Sequence, residues 1–169
     1  DLLTLSPGKA EMTIRNLLMM SSGLQWDDES TSYYDPANDM YKLFTSSDPM
    51  RFILSKNLVN TPGTFFEYAN CNTNLIGEIV HKAAGKRLDL FCDSLLFSKL
   101  GITVYEWQKI KPEIVFTSGD LMLRPRDMAK FGQLFLNKGY WNGEQLISEE
   151  WCMESTSTHI DPNDFSNAY

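Results

Sequence analysis

Apolar residues recur at helical spacing in several short windows of the chain, and the polar residues between them supply start and stop signals. Thr13 precedes Ile14, Leu17 and Leu18, and Ser21-Ser22-Gly23 closes that window, which predicts a short helix over 13–20. Residues 24–37 are acidic, aromatic and turn-rich and read as a loop. Ser47-Asp48-Pro49 marks a helix start, with a cap residue before proline, and Met50, Phe52, Ile53 and Leu54 follow. Thr61-Pro62-Gly63-Thr64 reads as a turn and Phe65-Phe66-Glu67-Tyr68 as extended chain. The strongest pattern is Leu75, Ile76, Ile79, Val80, Ala83 and Ala84, ended by Gly85. A second helix is predicted at about 88–98, through Leu88, Phe91, Leu95 and Leu96. Residues 103–120 are irregular, with room for a short strand. A helix starts at Pro125 and stops at Asn137-Lys138-Gly139, Asn142-Gly143 marks a tight turn, and Ser148-Glu149-Glu150-Trp151 opens a last helix. The tail after 156 is polar. Neither a repeat nor an alternating strand–helix order is present, so the pattern predicts a mostly helical assembly joined by long loops.

Composition narrows the functions open to such an assembly. The 169 residues are 43% hydrophobic and 22% charged, as in an ordinary globular protein, and suit one domain or a large piece of one. A formal net charge of −7 argues against nucleic acid or an anionic membrane as the main partner. The sequence has no run of eighteen apolar residues to span a membrane. Cys71, Cys92 and Cys152 are odd in number and far apart, which points to free thiols and away from a disulfide framework or zinc site. The chain starts without an initiator methionine or a signal peptide, so it is expected to be cut from something longer.

The candidate chemistry is concentrated in one triplet, Tyr68-Ala69-Asn70. A tyrosine two residues before an asparagine at a helix start fits the acid/base half of a serine hydrolase. Taken alone, it more simply fits a helix start in which Asn70 or Asn72 is the cap and Tyr68 a wall of the core. Tyr140-Trp141-Asn142 has the same pattern and reads as a turn. Ser6-Pro7-Gly8-Lys9 matches Ser-x-x-Lys, but the spacing brings a lysine to a serine only on a helix, and Pro-Gly opposes one. His81 lies off the apolar stripe and reads as solvated, and His159 falls in the tail. Asp27-Asp28-Glu29 lacks the glycine and terminal glutamate of a calcium loop and reads as a solvated turn. Arg124 and Arg126 either receive an anion at the following helix or, more simply, pair with Asp127 or Asp120. No metal or other cofactor is expected.

Three longer stretches carry a resemblance. TIRNLLMMSSGLQWDD, TPGTFFEYANCNTNLIGEIVHKAAGKRLDLFCDSLLFSKLGI and SGDLMLRPRDMAKFGQLFLNKGYWNGEQLISEEW resemble, in order, blocks of the serine β-lactamase-like family. That family includes class C β-lactamases, penicillin-binding proteins, esterases and nylon-oligomer hydrolases. The resemblance implies that Tyr68 helps to deprotonate a nucleophilic serine and then protonates the leaving group, while Asn70 positions the substrate amide. Asp120 stands where relatives carry the second glycine of Ser-Gly-Gly-Leu. The family's helical Ser-x-x-Lys and its Lys-Thr-Gly or His-x-Gly strand are both missing.

The fold class the resemblance implies is mainly α: the helical region of the β-lactamase/transpeptidase-like α+β fold, with its central antiparallel sheet largely absent. Residues 1–169 would be a single partial domain with an irregular tail at 156–169. Tyrosine ionises near pH 10, so about one in a thousand is phenolate at neutrality, and a base needs that value lowered by about 3, or about 4 kcal/mol. Relatives supply this with lysines from the missing motifs. The isolated chain is therefore expected to be inactive, and its parent to hydrolyse an amide or ester (a β-lactam, peptide or ester) through an acyl-serine. The other reading is a non-catalytic helical binding module that retains the scaffold. Expected partners are a small-molecule or peptide substrate in the parent, and a second copy, as homodimer or domain swap, on apolar surface left uncovered. The resemblance also implies a periplasmic or extracellular location.

Overall fold

The computed structural model describes residues 7–160. The element order is α1 (Pro7–Ala10), α2 (Ile14–Leu18), α3 (Asp39–Thr45), α4 (Pro49–Ser55), α5 (Asn70–Ala84), α6 (Leu88–Cys92), β1 (Tyr105–Trp107), β2 (Lys109–Lys111), β3 (Ile114–Val115), β4 (Leu121–Leu123), α7 (Pro125–Leu136), β5 (Tyr140–Trp141), β6 (Glu144–Gln145) and α8 (Glu149–Ser155). A π-helical turn, Asp93–Phe97, extends α6. Among the described residues helix far outweighs strand, in the sense the sequence pattern predicts, although fewer than half of them are helical.

The helix starts follow from local chemistry. Thr13 and Asn16 form a reciprocal capping pair at α2: the Asn16 amide donates to Thr13 Oγ1 at 3.2 Å and the Thr13 amide to Asn16 Oδ1 at 2.9 Å. Asp48 caps α4, with Pro49 behind it, and Ser148 caps α8. Gly85, at φ 60, ends α5. Two helices lie outside the predicted set. The first, α1, runs through Pro7-Gly8-Lys9 and corrects the expectation that Pro-Gly opposes a helix there, since proline is tolerated at the first helical position. The second, α3, starts where the Asn38 side chain accepts the Met40 amide at 2.8 Å. Asn-Asp before Met-Tyr is a readable cap signal, but only two turns follow it.

The strands form three two-stranded antiparallel ribbons, β1 with β4, β2 with β3 and β5 with β6. Residues 103–120, predicted as irregular, hold three of these strands, because strands of two or three residues are too short for alternation to show. Asn142 and Gly143, at φ 46 and 92, make the two-residue turn between β5 and β6.

Two apolar clusters form the core. The larger gathers Leu17, Leu24, Trp26, Met40, Leu43, Ile53, Leu75, Ile110 and Phe116 around α5, and the smaller is Phe97, Leu100, Ile102 and Leu134. The buried face of α5 differs from its predicted stripe. Ile79 is exposed, whereas Cys71, Asn72, Asn74, Leu75 and Gly77 are buried. Gly77 lets the 116–118 segment approach: a Cβ there would lie 2.5 Å from Thr117 Cγ2 and 2.6 Å from its Oγ1. Thr117 is itself fixed, its hydroxyl donating to the Thr73 carbonyl at 2.7 Å and its amide to Asn74 Oδ1 at 3.1 Å.

Gly77→Ala is therefore expected to destabilise the fold by about 1–3 kcal/mol through overpacking, despite alanine's better helix propensity. Urea unfolding measures it. Placing the change in a Thr117→Ala background should recover most of the loss, and an undiminished loss there would mean that the contact with Thr117 is not the cause.

Candidate active site

The chain reaches Tyr68 over a backbone held on one side by the end of α2. The amides of Gly63 and Glu67 donate to the carbonyls of Ser21 and Met20 at 2.7 and 2.8 Å. Gly23, at φ 74, makes the neighbouring turn possible, since a Cβ there would sit 2.1 Å from the Asn60 carbonyl oxygen. Ala69 then stands extended before α5, without a side-chain cap.

Asn70, the first residue of α5, is not spent on capping, contrary to the simpler expectation. Its Oδ1 accepts the Tyr68 hydroxyl at 3.1 Å, and its Nδ2 donates to Asp28 Oδ2 at 2.5 Å. The same Asp28 oxygen accepts the Trp26 indole N–H at 3.0 Å. Tyr68 and Asn70 are thus brought together and anchored from below by Asp28. Asn72 does not cap either: it is fully buried, with its amide directed at Met20 Sδ at 3.5 Å.

Asp28 corrects the reading of 27–29 as a solvated turn, because its side chain is buried. The loop is fastened beside it. Asp39 accepts the Asp27 amide at 2.9 Å and the Lys56 ammonium at 2.5 Å, and Lys56 lies 4.9 Å from the Phe52 ring centroid. Burial pushes the Asp39 carboxyl up, but hydrogen bonds from Lys56, the Asp27 amide and Lys42 together hold it below the usual carboxylate range. Burial first and the Asp28 carboxylate second push the adjacent Cys71 thiol up to about 12, so it stays protonated and inert.

Two further residues escaped the sequence reading. Asn74 Nδ2 donates both to the Asn70 carbonyl at 2.9 Å and to Ser118 Oγ at 3.0 Å, joining the start of α5 to Ser118-Gly119-Asp120. An asparagine one turn beyond Asn70 was the available signal. Asp120 adopts φ 54, a left-handed backbone in which glycine is at ease and an L-residue is strained. This is the position where the resemblance quoted from the sequence implies glycine.

The remaining candidates lie elsewhere. Ser6 is outside the described residues, and Lys9 donates its ammonium to the Leu54 carbonyl at 2.9 Å. His81, expected to be solvated, is half-buried with Nδ1 3.1 Å from Glu78. Asp127 pairs with Lys130 at 2.6 Å instead of with Arg124 or Arg126. His159 sits between Arg15 and Glu154 at the rim of a cavity of about 540 Å³, which Leu18, Met19, Met20, Phe66 and Trp151 line. The three cysteines are free. Among the described residues no cluster of three His, Cys, Asp or Glu side chains is placed to hold a metal ion, and no helix is long and apolar enough to cross a membrane.

Comparisons with known proteins agree with the blocks quoted from the sequence. The family described as Beta-lactamase matches residues 3–168. Similar solved structures include a candidate 6-aminohexanoate-dimer hydrolase from Bacillus anthracis, at 23% identity and TM-score 0.72, covering 85% of this chain and 41% of that one. A candidate beta-lactamase from Bacteroides dorei DSM 17855 is 22% identical, with TM-score 0.68, covering 94% of this chain and 48% of that one. A penicillin binding protein from Bacillus halodurans is 16% identical, with TM-score 0.69, covering 95% and 57%. At these identities the likeness is one of fold, and the chain spans about half the length of these structures. No curated protein matches.

If the backbone at 120 is what favours glycine in relatives, Asp120→Gly should change stability by less than about 1 kcal/mol, while the β-branched Asp120→Val should cost about 1–3 kcal/mol. Thermal unfolding of both variants decides between backbone and carboxylate. A glycine variant as unstable as the valine one would assign the role to the carboxylate.

Proposed function

Because the chain belongs to the beta-lactamase family, we propose that it carries the acid/base half of a serine hydrolase active site, with Tyr68 as proton carrier and Asn70 as the residue that meets substrate. The observation that supports this is the Tyr68 hydroxyl on Asn70 Oδ1, with Asn70 held by Asp28 and free of any capping duty. In the proposed reaction a serine hydroxyl attacks an amide or ester carbonyl, its proton passes to the Tyr68 phenolate, and the new phenol protonates the departing amine or alkoxide. Water then repeats the cycle on the acyl-serine. Residues 1–169 would be one partial domain of that enzyme.

The nucleophile is proposed to lie outside these residues. The sequence has no Lys-Thr-Gly or His-x-Gly; its one Ser-x-x-Lys runs into α1, but Ser6 lies outside the described residues and Lys9 is engaged with the Leu54 carbonyl. The chain alone should release no product from a chromogenic cephalosporin or a p-nitrophenyl ester. In a longer protein containing both motifs, Tyr68→Phe should lower kcat by about 10²–10⁴. Hydrolysis by the chain alone, abolished by Tyr68→Phe, would overturn the division into halves; an unaffected longer protein would overturn the role of Tyr68.

Self-association is part of the same proposal. Ile14 and Leu18 share an exposed face of α2, and exposed Trp151 lines the same cleft as Leu18. Light scattering of the purified chain should give a mass above that of one copy. A monomer at high concentration would count against it.

A further inference from the structure

Between Trp26 and Met40 the chain makes an excursion that puts no apolar side chain into the core. Among residues 27–39 the buried ones are Asp28, Asn38 and Asp39, all polar, and Tyr33 and Tyr34 are 58% and 90% exposed. Inside, the excursion is well knit. Asn38 Nδ2 donates to the carbonyls of Asp28 at 3.1 Å and Thr31 at 2.9 Å. Asp27 Oδ1 accepts the Ser30 amide at 3.0 Å, and Asp35 Oδ1 the Ala37 amide at 2.8 Å. Asp27 and Asp39 close its neck: the Asp39 amide donates to the Asp27 carbonyl at 2.9 Å, and the Asp27 amide to Asp39 Oδ2 at 2.9 Å. A segment with many internal bonds and no apolar anchor is of the kind that opens locally and as one piece.

Charge ties it to the body. Lys56, the residue after α4, reaches Asp39 Oδ1 at 2.5 Å. Its side chain is 18% exposed, and its ammonium lies 4.9 Å from the Phe52 ring centroid and 5.7 Å from that of Trp26. Lys42 meets the same Asp39 oxygen at 3.1 Å but is far more exposed, so it is the more screened of the two cations. The other tie is the Asp28 carboxylate on Trp26 and Asn70. Cys71, in the first turn of α5, is fully buried and within reach of the charges on Asp28, Asp39 and Lys56. We propose that residues 27–38 form a strap that opens as a unit at its neck, with Lys56 as the latch, and that opening uncovers the start of α5 at Cys71. Because the strap carries Asp28, opening also removes the support beneath Tyr68 and Asn70, but the motion does not depend on what those two residues do.

Thiol labelling of the full chain tests this. Methyl methanethiosulfonate is applied in the presence of low urea, and the modified peptides are told apart by mass. In the wild type, the labelling rate of Cys71 should hardly change with urea below the unfolding transition, because opening a strap exposes little surface, whereas labelling through global unfolding climbs with the full slope of the transition. Lys56→Met keeps an apolar stem over Phe52 and removes the charge. It should speed Cys71 labelling by at least about tenfold, the loss of one charge-assisted hydrogen bond, with the urea dependence still shallow. A wild-type rate that follows the unfolding slope would overturn the proposal, as would an unchanged rate in Lys56→Met or a rise that carries the full slope. If Lys56→Met does not fold, hydrogen exchange of the Trp26 indole N–H in the wild type decides. That proton loses its acceptor when Asp28 leaves, so its opening free energy should equal the one read from Cys71; exchange only through global unfolding contradicts the strap.

Discussion

The interaction on which the rest depends is a polar seam along the first turns of α5. Asn70, Asn72 and Asn74 sit at alternate positions, and the last two are at most 1% exposed. An amide withdrawn from water costs free energy unless its donors and acceptors are met, so three of them in the first turns of a packed helix, two fully buried, require that chain be brought to them. The chain brought there is irregular. Asn70 takes Asp28 and Tyr68, Asn72 takes Met20, and Asn74 takes Ser118 and the Thr117 amide. Two stretches far apart in sequence, 20–28 and 117–118, thereby converge on one helix start, and Gly77 leaves the room for the second to settle. The apolar cluster beneath supplies most of the free energy of burial, but it does not by itself dictate which loop lies where.

This seam explains what the sequence could and could not tell. Where a helix is announced by its own residues, as with Thr13, Asp48-Pro49, Pro125 and Ser148, the predicted and observed starts agree within a residue or two. The short ribbons between 105 and 123 were not legible, because strands of two or three residues have no periodicity to read. The face of α5 was misjudged for a deeper reason. Ile79, Ala83 and Ala84 look like core and are exposed, whereas asparagines look like surface and are buried. Hydrophobic pattern assumes that polar groups seek water, and here they are satisfied by one another.

The candidate site divides in the same way. Tyr68 and Asn70 could be singled out because they are two residues apart and lie in a family block. Asp28 could not, since it is 42 residues from Asn70 in a turn-rich acidic stretch where solvent is the ordinary partner. The left-handed backbone at Asp120 was visible only as a departure from the family's glycine; its physical meaning required the dihedral angle. Resemblance thus selected positions, and geometry supplied the reasons: a buried carboxylate below, a strained turn beside, and a hydroxyl–amide contact between them.

The two hydrogen bonds of Asn70 differ in kind, and that difference organises the site. The inner one joins an amide nitrogen to a buried carboxylate, a charged bond of about 1.5–3 kcal/mol; the outer one joins neutral groups and is worth about 0.5–1.5 kcal/mol. The inner partner is buried, whereas Tyr68 is 40% exposed. The inner bond is the stronger and less accessible of the two, so it sets the orientation of Asn70. The cost is borne during folding, when the Asp28 carboxylate is taken out of water to meet the N–H donors of Trp26 and Asn70 on one oxygen. A contact needed solely to hold a loop would not require a charge there: an uncharged side chain could accept from Trp26 equally well. What the charge adds is insistence on one end of the Asn70 amide.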